Sequence, residues 1–237
     1  MAETRMRKVA RDFLIPMLLL LALTALIAMT GSDLSLARAF HLPGSGWVYA
    51  GHDPWRSLYR YGIFPGYSVT ILAMILLISG FFSARAYPYR KASLFLVLFM
   101  LLGPGLVVSK GFKEHWPRPR PAQLQVFGGD SEFHQIWERG EAGSGASFPS
   151  GHAAFGFGMI WPFFLLRRSS PRLARLFLAA GACYGLLMGT ARMVQGGHFA
   201  SDVLWSAGIV YLVGLALYYL LRLDRGVLMK PKTSADN

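Results

Sequence analysis

Long apolar stretches that lack Asp, Glu, Lys and Arg recur along the chain and alternate with charged connections. A helix needs roughly 20 apolar residues to cross the hydrocarbon core of a membrane. The stretches show no period-two alternation of apolar and polar residues, which argues against membrane strands. The pattern predicts an all-α polytopic membrane protein whose six transmembrane helices form a bundle. The six stretches are Phe13–Ser32, Tyr61–Ala84, Ala92–Ser109, Ala142–Leu166, Leu176–Ala191 and Val203–Leu221.

Three of these stretches need closer reading. The fourth opens with a segment rich in Gly and Ser, so we predict that its helix begins near Gly151. The fifth is short and is predicted to extend backwards over Leu173 and Ala174, with the Arg175 side chain reaching the membrane surface. The first follows basic residues, as a signal peptide would, but its apolar core exceeds the roughly 7–15 residues of such a peptide. We therefore expect a retained anchor, and a single membrane-embedded domain over residues 1–237.

The distribution of charge predicts the orientation of the bundle. The 237-residue chain is 54% hydrophobic and 15% charged, with a net charge of +12 at pH 7. The N-terminus, the second and fourth connections and the C-terminal tail together hold 15 of the 24 Lys and Arg residues. By the positive-inside rule, both termini lie in the cytoplasm. The basic excess is then a signal of topology, and we expect the membrane as partner and no nucleic acid.

The outer connections are unusual in length and composition. The first, over residues 31–60, is rich in Trp and Tyr, and its Asp53-Pro54 pair predicts the start of a short helix on the membrane surface. The other, over residues 110–150, is a long outer loop between helices 3 and 4, with several glycines and five of the twelve acidic residues. Its glutamates are expected to form a solvated acidic face more than a substrate gate.

Three polar clusters fall at helix ends on this same outer side. The first follows the third span, the second opens the fourth span, and the third joins the fifth span to the sixth. The positions that can carry chemistry in them are Lys113 and Arg120; Ser150, Gly151 and His152; and Arg192, His198 and Asp202.

Together, the clusters have the composition of a phosphate site. Lys113, Arg120 and Arg192 supply positive charge, and the guanidinium groups suit bidentate contacts to phosphate oxygens. Ser150 and Gly151 lie at a helix N-terminus, where free backbone N–H groups favour an anion. These residues are therefore predicted to bind a substrate phosphate.

Two imidazoles and a carboxylate could supply the reaction. His198 and Asp202 are four residues apart and share a helix face, so the carboxylate is predicted to orient the ring and leave one nitrogen free to attack. His152 is able to protonate a leaving group. Arg118 is left open, as a phosphate contact or a solvent-facing side chain. Lys110 misses the spacing by one residue and is expected at the level of the lipid headgroups.

These motifs resemble those of the type 2 phosphatidic acid phosphatases, the PAP2 superfamily. The resemblance lies in Lys113 with six residues before Arg120-Pro121, in the complete Pro149–His152 tetrapeptide, and in the spacing of Arg192, His198 and Asp202. It covers about residues 113–202. Ala191 stands where the family pattern has Ser, which puts one hydroxyl contact near the phosphate in doubt.

The resemblance implies a metal-independent and cofactor-free lipid phosphate phosphatase of a bacterial cytoplasmic (inner) membrane, with its active site facing the periplasm. In it, His198 attacks phosphorus to form a phosphohistidine and His152 protonates the leaving group. The implied substrates are undecaprenyl pyrophosphate, phosphatidylglycerol phosphate, phosphatidic acid or lipid A phosphates. The sequences of Gln195–Phe199 and Phe127–Gly129 are similar to those of the lipid A phosphatase branch of the family.

Two other functions remain as alternatives to a phosphatase. A lipid phosphotransferase would use the same residues and pass the phosphoryl group to a lipid acceptor. A transporter is the remote alternative, because pathway charges should lie within the spans and here they gather at one boundary. The remaining histidines, His41, His52, His115 and His134, lack a partner at metal-ligand spacing and are interpreted as loop residues.

Overall fold

The computed structural model describes residues 2–228, and in that part of the chain the secondary structure is helical, with two isolated β-bridges and no strand. The N-terminal half contains α1 (Ala2–Thr30), α2 (Ser32–Phe40), α3 (Trp55–Tyr61), α4 (Phe64–Phe82) and α5 (Arg90–Met100). A π-helix, Leu101–Phe112, continues α5 and runs into α6 (Lys113–His115). The C-terminal half contains α7 (Gly151–Phe157), α8 (Trp161–Leu166), α9 (Pro171–Val194) and α10 (Ala200–Leu220). The all-α class is therefore confirmed.

Within the described residues, five helical segments are long and apolar enough to cross a membrane: Arg5–Thr30, Trp55–Phe82, Tyr87–His115, Pro171–Val194 and Ala200–Leu220. The fourth predicted span is a shorter apolar helix, Gly151–Leu166, interrupted by a 3-10 turn at Gly158–Ile160. The fifth predicted span extends backwards as expected, because α9 begins at Pro171 after Ser170. The predicted count of six spans is therefore not confirmed, because the described residues contain five helices of spanning length and one shorter apolar helix.

The π-helix before Lys113 has a local cause. Pro104 lacks an N–H and stands between Gly103 and Gly105, so the regular i to i−4 ladder is broken there. The hydroxyl of Ser109 donates to the carbonyl of Pro104, five residues earlier, at 2.8 Å. Such wide turns are frequent at functional sites. Here the wide segment ends next to the first polar cluster.

Close helix packing fixes α7 against α9. A Cβ at Gly156 would lie 2.8 Å from the Cα of Gly185, and one at Gly181 would lie 2.6 Å from the backbone nitrogen of Ile160. Small residues let the two backbones approach, as they do between helices in membranes. The pairing holds the start of α7 and the end of α9 in one arrangement.

The two ends of the bundle differ in their contacts. At one end, Asp12 of α1 pairs with Arg167 at 2.7 Å and accepts a hydrogen bond from Tyr219 at 2.6 Å. Arg5 pairs with Asp224 at 2.9 Å at this same end. The three polar clusters come together at the opposite end, around the N-termini of α7 and α10.

Candidate active site

The start of α7 carries the second cluster and the first cluster lies against it. Ser150 caps the helix, and its side chain accepts a hydrogen bond from the N–H of Ala153 at 3.4 Å. A Cβ at Gly151 would lie only 3.7 Å from the Nζ of Lys113. The ammonium group of Lys113 therefore lies next to the helix N-terminus.

Three cations converge on this point. The charges of Arg120 and Arg192 both act on Lys113, and all three side chains are partly buried. The guanidinium of Arg192 lies over the ring of Tyr59, 4.5 Å from its centroid, and donates to the side-chain oxygen of Gln195. Partly buried cations repel one another. Among residues 2–228 no salt bridge to a carboxylate offsets this repulsion for any of the three cations. The arrangement suits a polyvalent anion that would balance the charge.

His198 is almost fully buried, with 2% of its surface exposed. Its Nδ1 lies 2.5 Å from the backbone carbonyl of Ser147. Because a carbonyl only accepts hydrogen bonds, Nδ1 carries the proton and Nε2 keeps its lone pair. Burial, together with the charges of Arg192 and Lys113, outweighs the opposing effect of Asp202 and lowers the pKa of His198 to about 4. The ring is therefore neutral at physiological pH and has a free nucleophilic nitrogen.

The expected hydrogen bond from His198 to Asp202 is absent, which corrects the sequence interpretation. The Oδ2 of Asp202 lies 3.8 Å from Nδ1, beyond hydrogen-bond range. That oxygen instead accepts from the hydroxyl of Ser147 at 2.5 Å and from the N–H of Phe199 at 2.8 Å. Ser147 thus stands between the carboxylate and the imidazole, with its hydroxyl on one and its carbonyl on the other.

His152 faces the same space as His198. Its ring stacks on Tyr59, with the centroids 4.8 Å apart and the planes at 25°. The charges of Arg192, His198 and Lys113 all act on it. The structure thus brings together every side chain that the motifs single out.

Arg118 matches neither of the two roles that the sequence left open, a phosphate contact or a solvent-facing side chain. It is fully buried, and its Nη1 donates to Asp202 at 2.6 Å while its Nη2 donates to Asp33 at 2.9 Å. The carbonyl of His134 accepts from its Nε at 3.0 Å. Arg118 is therefore the centre of a buried ion-pair network behind the site.

Sequence reasoning missed four residues of this region: Asp33, Tyr59, Ser147 and Ser201. Asp33 and Tyr59 come from the N-terminal half, far from the motifs along the chain. Ser147 precedes the Pro149–His152 motif by two residues and gave no signal of its own. Ala191, the departure from the family pattern, is fully buried. Among the described residues no group of three or more His, Cys, Asp or Glu is placed to hold a metal ion.

These features define a helical membrane protein with a cationic, histidine-containing site. The family model of the PAP2 superfamily matches residues 92–225, and the chain belongs to this superfamily. Its class is therefore that of a membrane phosphatase acting on lipids, and the predicted family is confirmed.

Two curated relatives and one solved structure are similar to the chain. A lipid A 4'-phosphatase of Francisella tularensis subsp. novicida (strain U112) is 34% identical over 194 residues, covering 80% of this chain and 86% of the relative. A lipid A 4'-phosphatase of Rhizobium leguminosarum is 36% identical over 119 residues, which are 49% of this chain and 50% of the relative. The crystal structure of a transmembrane PAP2-type phosphatidylglycerolphosphate phosphatase from Bacillus subtilis shares the fold, with a TM-score of 0.52 and 24% identity over 91% of this chain and 97% of that chain.

Proposed function

We propose that this protein removes a phosphate monoester from a lipid A-type glycolipid through a phosphohistidine on His198. The observation that carries the proposal is the free Nε2 of a neutral, buried His198 beside three cations that form no salt bridge within residues 2–228. An imidazole of this kind can attack phosphorus only where the charge of the phosphoryl group is balanced. Lys113, Arg120 and Arg192 provide that balance.

The proposed reaction has two steps. The Nε2 lone pair of His198 attacks phosphorus and the bond to the ester oxygen breaks. His152, protonated in the complex because the negative charge of the bound phosphate favours the imidazolium form, gives its proton to that oxygen. Asp202 and the Ser147 carbonyl stabilise the positive charge that develops on the His198 ring. A water molecule then attacks the phosphohistidine and passes a proton to His152, the P–N bond breaks, and inorganic phosphate leaves.

A groove beside the site supports a substrate with a large headgroup. It has a volume of about 660 Å³ and is lined by Arg38, His41, Phe127 and five glycine, proline and valine neighbours. Phe127 packs on Trp47, whose indole fills the space above Gly196, two residues before His198. The lipid A 4'-phosphatases among the relatives act on such a headgroup by name. We therefore favour lipid A over phosphatidic acid, phosphatidylglycerol phosphate and undecaprenyl pyrophosphate.

The test is phosphate release by the purified protein in detergent, measured side by side for these four lipids. We expect the highest kcat/KM with lipid A and no release by the His198→Ala variant. With ³²P-labelled lipid, an acid-labile and base-stable label should appear on the wild-type chain and not on this variant. Equal turnover of all four lipids would contradict the assigned substrate, and activity of His198→Ala would contradict the mechanism. Label found only on another lipid would identify a phosphotransferase.

We also propose that both termini lie in the cytoplasm and that the site faces the periplasmic side of a bacterial inner membrane. The basic connections support this orientation, and in the structure Arg5, Arg167 and Asp224 lie together at the end opposite the site. In a Cys183→Ser background, a membrane-impermeant maleimide should label Ser45→Cys in spheroplasts. It should label Ser169→Cys only after lysis, and the reverse pattern would overturn the orientation.

A further inference from the structure

A buried carboxylate from outside the matched family region reaches the catalytic end of α10. Asp33 lies in the first turn of α2, before residues 92–225, and has 3% of its surface exposed. Its Oδ1 accepts from the backbone N–H of Ser201 at 2.8 Å, and its Oδ2 accepts from the hydroxyl of Ser201 at 2.5 Å. Asp33 thus holds the first turn of α10, between His198 and the body of the helix.

The same carboxylate shares Arg118 with Asp202. Arg118 donates to both carboxylates and also to the hydroxyl of Ser201 at 2.8 Å. If Asp202 were the only carboxylate beside the guanidinium, the positive charge of Arg118 would act on Asp202 alone. With two carboxylates, the attraction is shared between them. By taking part of the attraction of Arg118, Asp33 leaves Asp202 less neutralised, and Asp202 then stabilises positive charge on the His198 ring more strongly.

We infer that Asp33 is a positioning residue for the phosphohistidine reaction, acting through Arg118 and Asp202. The inference rests on the proposed function. Its contacts are with Arg118 and Ser201, not with the three cations of the phosphate site. Loss of its charge should therefore slow the chemical step and leave the binding of the lipid phosphate unchanged.

The experiment compares Asp33→Asn with the matched control Asp12→Asn. Asp12 also pairs with an arginine and a hydroxyl, on the preceding helix, but at the opposite end of the bundle. With purified full-length protein and lipid A, Asp33→Asn should lower kcat by about 10- to 100-fold, the usual cost of losing a group that orients a reactive ligand. KM should stay within about twofold of the wild type. Asp12→Asn should lower thermal stability and leave kcat unchanged.

A double variant separates positioning from a general loss of structure. If Asp33 acts through Asp202, Asp33→Asn should reduce kcat much less in an Asp202→Asn background than alone. Equal reductions in both backgrounds, or equal kcat for Asp33→Asn and Asp12→Asn, would overturn the inference. Should Asp33→Asn not fold, Ser201→Ala takes its place: a lower kcat at constant KM supports the inference, and an unchanged kcat overturns it. A wild-type protein that releases no phosphate would instead refute the proposed function.

Discussion

Arg118 and Arg120 stand two residues apart and have opposite surroundings. Arg118 is fully buried and donates to two carboxylates, a hydroxyl and a carbonyl. Arg120 is partly exposed, forms no salt bridge within the described chain, and lies near two further cations. A guanidinium whose donors are all bonded within the protein stabilises one arrangement of the fold. A guanidinium without a carboxylate partner still has donors that can bind an anion. One short segment thus provides both a buried ion-pair network and the phosphate contact that we propose for Arg120.

The largest effect is expected when the paired arginine is removed. Arg118→Ala leaves Asp33 and Asp202 buried without their cation, which should lower the free energy of unfolding by about 3–5 kcal/mol. Thermal unfolding in detergent measures this. Arg167→Ala is the control, because its pair with Asp12 is more exposed, at 19% and 13% of the two side chains, and its loss should be smaller. Equal stability of Arg118→Ala and the wild type would refute the scaffold role.

Removal of the unpaired arginine should affect activity and not stability. Arg120→Ala is expected to lower kcat/KM by about 10²–10³, the usual cost of losing one electrostatic contact to the transition state. Its unfolding temperature should match or exceed the wild-type value, because repulsion with Lys113 is relieved. The exposed Arg139 of the same connection offers a control, since Arg139→Ala should leave both quantities unchanged. A destabilised but active Arg120→Ala would reverse the comparison.

The burial of His198 and the cations around it should also affect how kcat/KM depends on pH. His198 must be neutral to attack, and its pKa is lowered to about 4 from 6.5. The acidic limb of kcat/KM should therefore lie nearer pH 4 than pH 6.5. The unfolded chain binds this proton below about pH 6.5 and the folded chain only near pH 4, so stability should fall as the pH decreases between them. An acidic limb near pH 6.5 would contradict this environment.

The smallest effect is expected at a lysine just outside the site. Lys110 is exposed and forms no salt bridge among the described residues, whereas Lys113 lies against Gly151. Lys110→Ala should change kcat/KM less than about threefold and the unfolding free energy by no more than about 0.5 kcal/mol. Lys113→Ala is the matched variant with a large loss of activity. Similar losses in both would show that general positive charge, and not position, is what matters.

The sequence predicts the motif residues and most spans because both are local patterns. Apolar runs predict α1, α4, α9 and α10, and fixed spacings along the chain locate the cations and imidazoles. The pairs that Arg118 makes are different, since its partners Asp33 and Asp202 are 85 and 84 residues away and no local pattern predicts these pairings. The role of Ser147 was hidden for a related reason, because its carbonyl takes the place that the spacing of His198 and Asp202 assigned to a carboxylate.

The wide turns of Leu101–Phe112 have a consequence for the register of the third long helix. Successive residues of a regular α-helix point about 100° apart around its axis. Wide turns place a smaller angle between successive residues, so regular winding of the same residues would turn everything after Phe112 around the helix axis. The ammonium of Lys113 would then no longer face the N-terminus of α7. A membrane helix of full length would remain, with its reactive end facing the wrong neighbour.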